Sequence, residues 1–477
     1  MRALLILPSF RGNHFGAAWR KNPTITPPLG LLYIGGALER SGFQVRVLDM
    51  NVQAISQAEF KDAVRQSDLI GVSVLTVARD IAEELIREVR TIHPRVKVMA
   101  GGPHLNSTMT PLPGADVSFV GEGEETAGEV GRILVEGDLD RLRQFRGLFY
   151  FDGQEMVRTG LPMVLGDLNL SPRPARHLVD ASRYGELIGI RVSDRVAAMT
   201  TSRGCPYKCS FCVRRGVFRY RDRTPENVVD EIAEIAAAGH DLLIFNEDNF
   251  TVVPERSIAV MREIKRRGIK IRIMMQLRVD SVSEEMLQAF KDAGVWSLIF
   301  GIESGTQEIL DFYDKGATVE QGRRAVLMAE RLGIFSYAFF ILGAPPERER
   351  HFDENIRFMT SVPLDFVGFN ILDVQAGSSL WAKERRRGLI RADELVTPTG
   401  PRLGALPYEK LEEQMRRAYR AFYLRPSHYW RLLRKCWGVR DFTLLVFMAR
   451  FSLKLLRHFH AFALAEDLSI VRSVPET

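Results

Sequence analysis

GCPYKCSFC, residues 204–212, places Cys205, Cys209 and Cys212 within eight residues, and these are three of the four cysteines in the chain. Thiolates select zinc, copper(I) or iron–sulfur centres, and a closed zinc or electron-transfer site normally shows four protein ligands. The remaining cysteine, Cys436, lies far downstream. Three soft ligands without a near fourth point to a metal left chemically open. Their clustering also argues against a secreted disulfide framework and for a reduced compartment, so the expected localisation is cytoplasmic.

The triad follows an apolar run at 196–201, and from there short apolar runs alternate with amphipathic stretches. Strands are expected near 196–201, 241–246, 270–276, 296–301, 335–342 and 366–372, the first five each followed by a helix. In TPENVVDEIAEIAAAGH, Thr224 reads as the N-cap, Pro225 as the first helical residue and Gly239 as the stop. Six βα-type units predict a partial parallel barrel with its site at the carboxyl ends of the strands. Cys-x3-Cys-x2-Cys, directly after the first strand, falls at that end.

Upstream, a second alternation gives strands at 3–7, 44–50, 69–74, 96–101 and 117–123 and a helix over 29–40 that ends at Ser41-Gly42. The fold class is therefore α/β: a doubly wound parallel, Rossmann-like sheet over 1–140, a linker over 141–190 around NLSPRPARHL, a TIM-like (βα)6 barrel over 191–380, and a helical basic region over 381–477. Residues 381–477 carry 19 Lys and Arg against 10 Asp and Glu, a net of +9 within a total of +6, so the first 380 residues stand at −3. A basic footprint confined to the tail argues against nucleic acid as the partner. No run of about 20 apolar residues predicts a spanning helix. In FTLLVFMARFSLKLLRHFH, Arg450, Lys454 and Arg457 share one helical face, which suits a helix packed on the barrel or a peripheral membrane contact through 442–460.

Triad and barrel together resemble the radical S-adenosylmethionine superfamily, whose CxxxCxxC loop follows the first strand of such a barrel. The resemblance implies that Cys205, Cys209 and Cys212 hold a [4Fe–4S] cluster whose fourth iron binds S-adenosylmethionine. By the same resemblance Glu247 and Asp248 of NEDNFT would accept from the methionine amino group. Gln276 and Arg278 of QLRVD would meet its carboxylate, Glu303 and Ser304 of GIESG the ribose or methionine. Gly343 of FILGAPPE and Phe211 would lie against adenine. The bland alternative is a zinc site completed by His177 or His240.

The N-terminal region looks like the cobalamin-binding domain that precedes many such barrels, through TPPLGLLYIGGALE, DLIGVSVLT, AGGPH and VGEGEE in that order. That implies cobalamin contacts from Asp49, Asn51, Ser73, Leu75, Thr76, Gly101, Gly102, His104, Gly121, Glu122 and Gly123. The family's Asp-x-His-x-x-Gly motif would begin at Asp49, yet the chain there reads DMNVQA, without the His or the Gly. A histidine ligand to cobalt is not expected from this loop, and the lower face of cobalt should meet Ser73–Val77. Glu122, Glu124 and Glu125 read as a loop entering a helix and not as an acid–base pair. His104 reads as cofactor-facing, and Cys436 as a small buried residue, with a redox thiol as its alternative.

The expected function is a cobalamin-dependent radical methyltransferase: a 5′-deoxyadenosyl radical takes hydrogen from an unactivated carbon and methylcobalamin delivers the methyl group. No protein acid or base is demanded by that scheme, so the catalytic residues stay unassigned. A cyclase or ring-rearrangement enzyme with the same cofactors is the alternative, and an RNA-modifying iron–sulfur protein a further one. Against the last, the chain has no cysteine before Cys205 for a second cluster. Partners implied are a small-molecule or lipid-like substrate and an external electron donor such as flavodoxin or ferredoxin.

Overall fold

The computed structural model describes residues 1–9, 26–187, 190–213, 219–439, 445–446 and 449–450. It divides into two compact units, the first ending at Gly189 and the second beginning at Ile190.

In the first unit the strands β1 (Arg2–Leu7), β2 (Gln44–Asp49), β3 (Leu69–Ser73), β4 (Lys97–Gly101) and β5 (Val117–Phe119) pair in parallel in the order β2-β1-β3-β4-β5. Alternation along β1 explains its unbroken apolar run. Leu4 and Ile6 enter a core with Leu48, Val72 and Val98, while Ala3 and Leu5 enter a second core with Val47, Leu69 and Met99. A strand buried on both faces reads as continuous hydrophobic sequence. The strand order reverses between β1 and β3, where open α/β sheets bind ligands at the strand carboxyl ends.

The first correction falls in 141–190, expected as a linker. It contains β6 (Leu148–Phe151) and β7 (Met156–Arg158), which pair antiparallel and extend the sheet beyond β5. The sheet is thus mixed, with seven strands. The hairpin is legible afterwards in LFYFDGQEMVR, two short runs around Asp152-Gly153, with Gly153 at φ +103°.

In the second unit six strands, β8 (Val196–Met199), β9 (Leu242–Phe245), β10 (Arg272–Arg278), β11 (Val295–Glu303), β12 (Phe335–Leu342) and β13 (Phe366–Ile371), pair in parallel in sequence order. The helix Pro225–Ala237 starts as read: the Thr224 side chain accepts from the Asn227 N–H, and Gly239 follows at φ +81°.

An open barrel leaves β13 as an edge, and an unpaired edge invites association. Two tyrosines of the helix Tyr408–Tyr423 answer it. Tyr423 Oη accepts from the Val367 N–H at 3.0 Å and donates to its carbonyl at 2.9 Å, and Tyr419 Oη accepts from the Phe369 N–H at 3.2 Å. The following helix, Pro426–Val439, is pinned by Arg431 and Lys435 to Asp365 at 2.8 and 2.7 Å. Cys436 on that helix is fully buried, as a small core residue. Among the described residues from 379 onward, the helices Ser379–Arg386, Tyr408–Tyr423 and Pro426–Val439 are joined by a mainly irregular segment whose strand Val396–Pro398 pairs with Asp373–Gln375. Most of 442–460 lies outside the described residues. No described helix is long and apolar enough to cross a membrane.

Candidate active site

The cysteine loop leaves the carboxyl end of β8 through a two-residue ribbon, Ser202–Arg203 against Arg221–Asp222. Gly204, at φ +81°, then turns the chain and donates its N–H to Asp248 at 3.0 Å. Further along, the Ser210 N–H donates to the Tyr313 carbonyl at 2.7 Å, and the Cys212 N–H to that of Cys209 at 3.1 Å. Phe211 packs edge-on against Tyr313 with ring centroids 5.0 Å apart. Cys205 and Cys209 are half-buried and Cys212 is exposed. Among the described residues, no three His, Cys, Asp or Glu side chains converge closely enough to hold a metal ion. The donor set nevertheless fits an iron–sulfur cluster, with three soft thiols on one fastened loop at the ligand end of a barrel. His177 pairs with Glu39 at 2.9 Å, which gives that histidine a partner other than a metal.

Glu247 is held by the Thr201 hydroxyl at 2.8 Å and by that of Ser202, and burial raises its carboxyl above the usual range against those bonds. Asp248 fastens the cysteine loop. Gln276 and Arg278, expected after the third barrel strand, are its last residues but for Leu277 between them. The register sets Gln276 beside Ile299, and Ile299 beside Tyr337, so one amide shares a face with apolar and aromatic neighbours. Arg278 is buried: it grips Asp280 at 3.0 and 2.8 Å, donates to the Lys315 carbonyl and reaches Cys209 Sγ at 3.2 Å. Glu303 sits at φ +63°, a costly backbone for a non-glycine residue, and pairs with Lys315 at 2.7 Å.

Two of the expected residues have protein partners of their own. Ser304 is fully buried, and its hydroxyl donates to Asn355 at 3.2 Å and accepts from the Thr306 N–H, so it holds its own turn. Gly343 at φ +96° donates to the buried Glu347 carboxylate, and a Cβ there would lie 2.5 Å from Thr399 Cγ2. Its side is filled by protein. Glu347 itself was missed: burial pushes its carboxyl up to about 7, and its Oε1 has no hydrogen-bond partner. The buried Tyr313 hydroxyl also has none. The two are electrostatically close, since Glu347 is second only to burial in raising the Tyr313 phenol. Pro345-Pro346-Glu347 was visible in sequence; Tyr313, after a one-turn helix, carried no signal.

In the first unit, the loops after β3 and β4 are tied to one another. The Val74 N–H donates to Gly101 at 2.8 Å and the His104 N–H to Val74 at 3.0 Å, knitting them together. Gly102 is at φ +116°, and a Cβ there would lie 2.9 Å from both Val74 N and O. His104 is buried, its imidazole lowered to about 4 by burial and by Arg79, and its Nδ1 has no partner. Burial keeps the ring neutral and leaves one nitrogen without a protein partner. Ser73, Leu75 and Thr76 are half-buried beside it, and Val77 is exposed. These residues fit a large ligand seated over the β1/β3 reversal.

The other expected cobalamin contacts serve the protein. Asp49 is fully buried: one oxygen accepts from the backbone and side chain of Asn51, both at 2.9 Å, the other from the Tyr184 hydroxyl at 3.3 Å. Gly121 bridges to Met163, and a Cβ would lie 2.2 Å from the Met163 carbonyl oxygen. Glu122 accepts from the Leu165 N–H at 2.7 Å, and Gly123 packs against Ile34 and Phe119. The glycines of GEGEE are explained by the 163–165 segment and by helix packing.

A doubly wound sheet is thus followed by an open barrel that carries a three-cysteine loop. Residues 19–131 match the B12 binding domain family, and residues 199–359 the Radical SAM superfamily. An uncharacterized methyltransferase of Pyrococcus horikoshii is 28% identical over 444 residues, covering 90% of this chain and 93% of that one. The anaerobic magnesium-protoporphyrin IX monomethyl ester cyclase of Cereibacter sphaeroides is 26% identical, covering 90% of this chain and 72% of the relative. The solved structure of TsrM, a radical S-adenosylmethionine methyltransferase from Kitasatospora setae, shares the fold with a TM-score of 0.65 at 20% identity, over 90% of each chain. The chain belongs to the cobalamin-dependent radical S-adenosylmethionine enzymes. Its cofactors are a [4Fe–4S] cluster, S-adenosylmethionine and cobalamin.

Proposed function

We propose that the protein is a methyltransferase that adds a methyl group to an unactivated carbon of an apolar small molecule. The carrying observation is the presence in one chain of a cysteine loop at the mouth of the barrel and of knitted β3 and β4 loops in a B12 binding domain. Bound together, the three cofactors supply a carbon-centred radical and a transferable methyl group, the electron coming from an external donor such as flavodoxin or ferredoxin. The protein then has to hold and to exclude. Cys205, Cys209 and Cys212 would ligate the cluster, Glu247 and Gln276 would hold the polar end of S-adenosylmethionine, and Phe211 would flank its adenine. Tyr337 and Phe339, with ring centroids 4.8 Å apart, add apolar surface to the barrel and favour an apolar substrate.

The cyclase relative supports ring closure as the second reading. Turnover separates the two. Anaerobic protein, reductant and methyl-deuterated S-adenosylmethionine are incubated with small-molecule and lipid extract fractions, and products are read by mass. Methyl transfer predicts a product carrying the deuterated methyl group, formed together with 5′-deoxyadenosine. A product formed without label contradicts it and favours the cyclase.

A further inference from the structure

Arg278 belongs to the third barrel strand but spends its guanidinium on the cysteine loop. Its Nε and Nη2 hold both oxygens of Asp280, Nη2 also donates to the Lys315 carbonyl, and Nη1 donates to Cys209 Sγ at 3.2 Å. The plane of the group lies over the Tyr207 ring, Cζ 3.7 Å from its centroid, and Tyr207 stands between Cys205 and Cys209. One side chain therefore grips the loop twice, by the ring of one residue and the sulfur of another. Asp280 fixes the fork, so the remaining donors have a set direction. A compact ammonium could not serve fork, ring face and sulfur together.

Four of its five N–H groups are spent in this way, so a two-bond grip on the carboxylate of S-adenosylmethionine would cost one of these bonds. We infer that Arg278 is a positioning residue for the cluster: it presses the cysteine loop onto the barrel and gives a hydrogen bond to the Cys209 sulfur. Hydrogen bonds to cluster sulfurs set the reduction potential, and partners of ligands often matter nearly as much as the ligands. N–H donation to a thiolate disperses its negative charge and makes the added electron easier to hold. The role is the same whether the reaction is methyl transfer or ring closure, so it stands apart from the reading above.

Arg278→Gln, Arg278→Lys and Tyr207→Leu test it in the full chain, reconstituted anaerobically. The readouts are the cluster's midpoint potential by titration with electron paramagnetic resonance, iron loss to a chelator, and the dissociation constant for S-adenosylmethionine. Arg278→Gln is expected to move the potential to a more negative value and to loosen iron by about 10–100-fold. The S-adenosylmethionine constant should change by less than about threefold. Arg278→Lys keeps the charge without restoring the potential, and Tyr207→Leu shifts both cluster readouts in the same direction as Arg278→Gln. An unchanged potential and unchanged iron retention in Arg278→Gln would overturn the inference, and a dissociation constant raised about tenfold beside them would return Arg278 to the carboxylate. If Arg278→Gln does not fold, wild-type potential and iron retention in Tyr207→Leu overturn it.

Discussion

Replacing Cys205, Cys209 or Cys212 by Ala, one at a time, is expected to bring reductive cleavage of S-adenosylmethionine down to background while cobalamin binding persists. Each change removes one of three thiolates, and the described residues offer no replacement cluster of His, Cys, Asp or Glu. Cys212 is the sharpest of the three, because its side chain is exposed and its loss leaves no cavity. The match to the B12 binding domain lies in the first unit, over residues 19–131, so corrinoid retention serves as the control for folding. The assay is 5′-deoxyadenosine yield from anaerobically reconstituted protein. Cleavage at wild-type level in any one variant would remove that cysteine from the cluster.

The second large effect lies at the other end of the barrel. Burial opposes ionisation of Asp365, yet Lys435 and Arg431 beside it hold its carboxyl below the usual range, and the Ser336 N–H donates to it at 2.8 Å. Glu330 completes the group at 2.6 Å from Lys435. Asp365→Ala leaves two cations short of a partner, with Lys435 nearly buried, and should cost about 3–5 kcal/mol. The measurement is the denaturant midpoint at neutral pH. Because folding depresses this pKa, the stabilisation is present above the unfolded carboxylate value and is lost as pH falls through the folded one. The deficit of the variant should therefore shrink in acid. A cost under about 1 kcal/mol would mean that the helix Pro426–Val439 is held by apolar packing around Leu432 and Cys436 alone.

Much of the fold was legible because its signals are local. All five parallel strands of the first unit and all six of the barrel fall on the runs read from alternation, as in LIGVS after a polar turn or FSYAFFIL before Gly343. The hairpin 148–158 was missed because two strands of four and three residues carry too little periodicity to stand out. At the site, sequence could name which residues stand at the strand ends but not which way each is spent. Ser304, Gly343, Asp49 and Gly121 occupy the expected places, and each is consumed by a tertiary partner far along the chain: Asn355, Thr399, Tyr184 and Met163. Arg278 shows the same limit, because its tie to Cys209 joins residues 69 apart in sequence. Glu347 needed the fold as well, since only burial distinguishes it from a surface carboxylate after two prolines.

Metal and corrinoid content of the full chain, purified and reconstituted without oxygen, tests the pairing of cluster and cobalamin most directly. The account predicts about four irons with matching sulfide and one cobalt, as corrinoid, per chain. Zinc bound in place of iron, with no corrinoid retained, would contradict it.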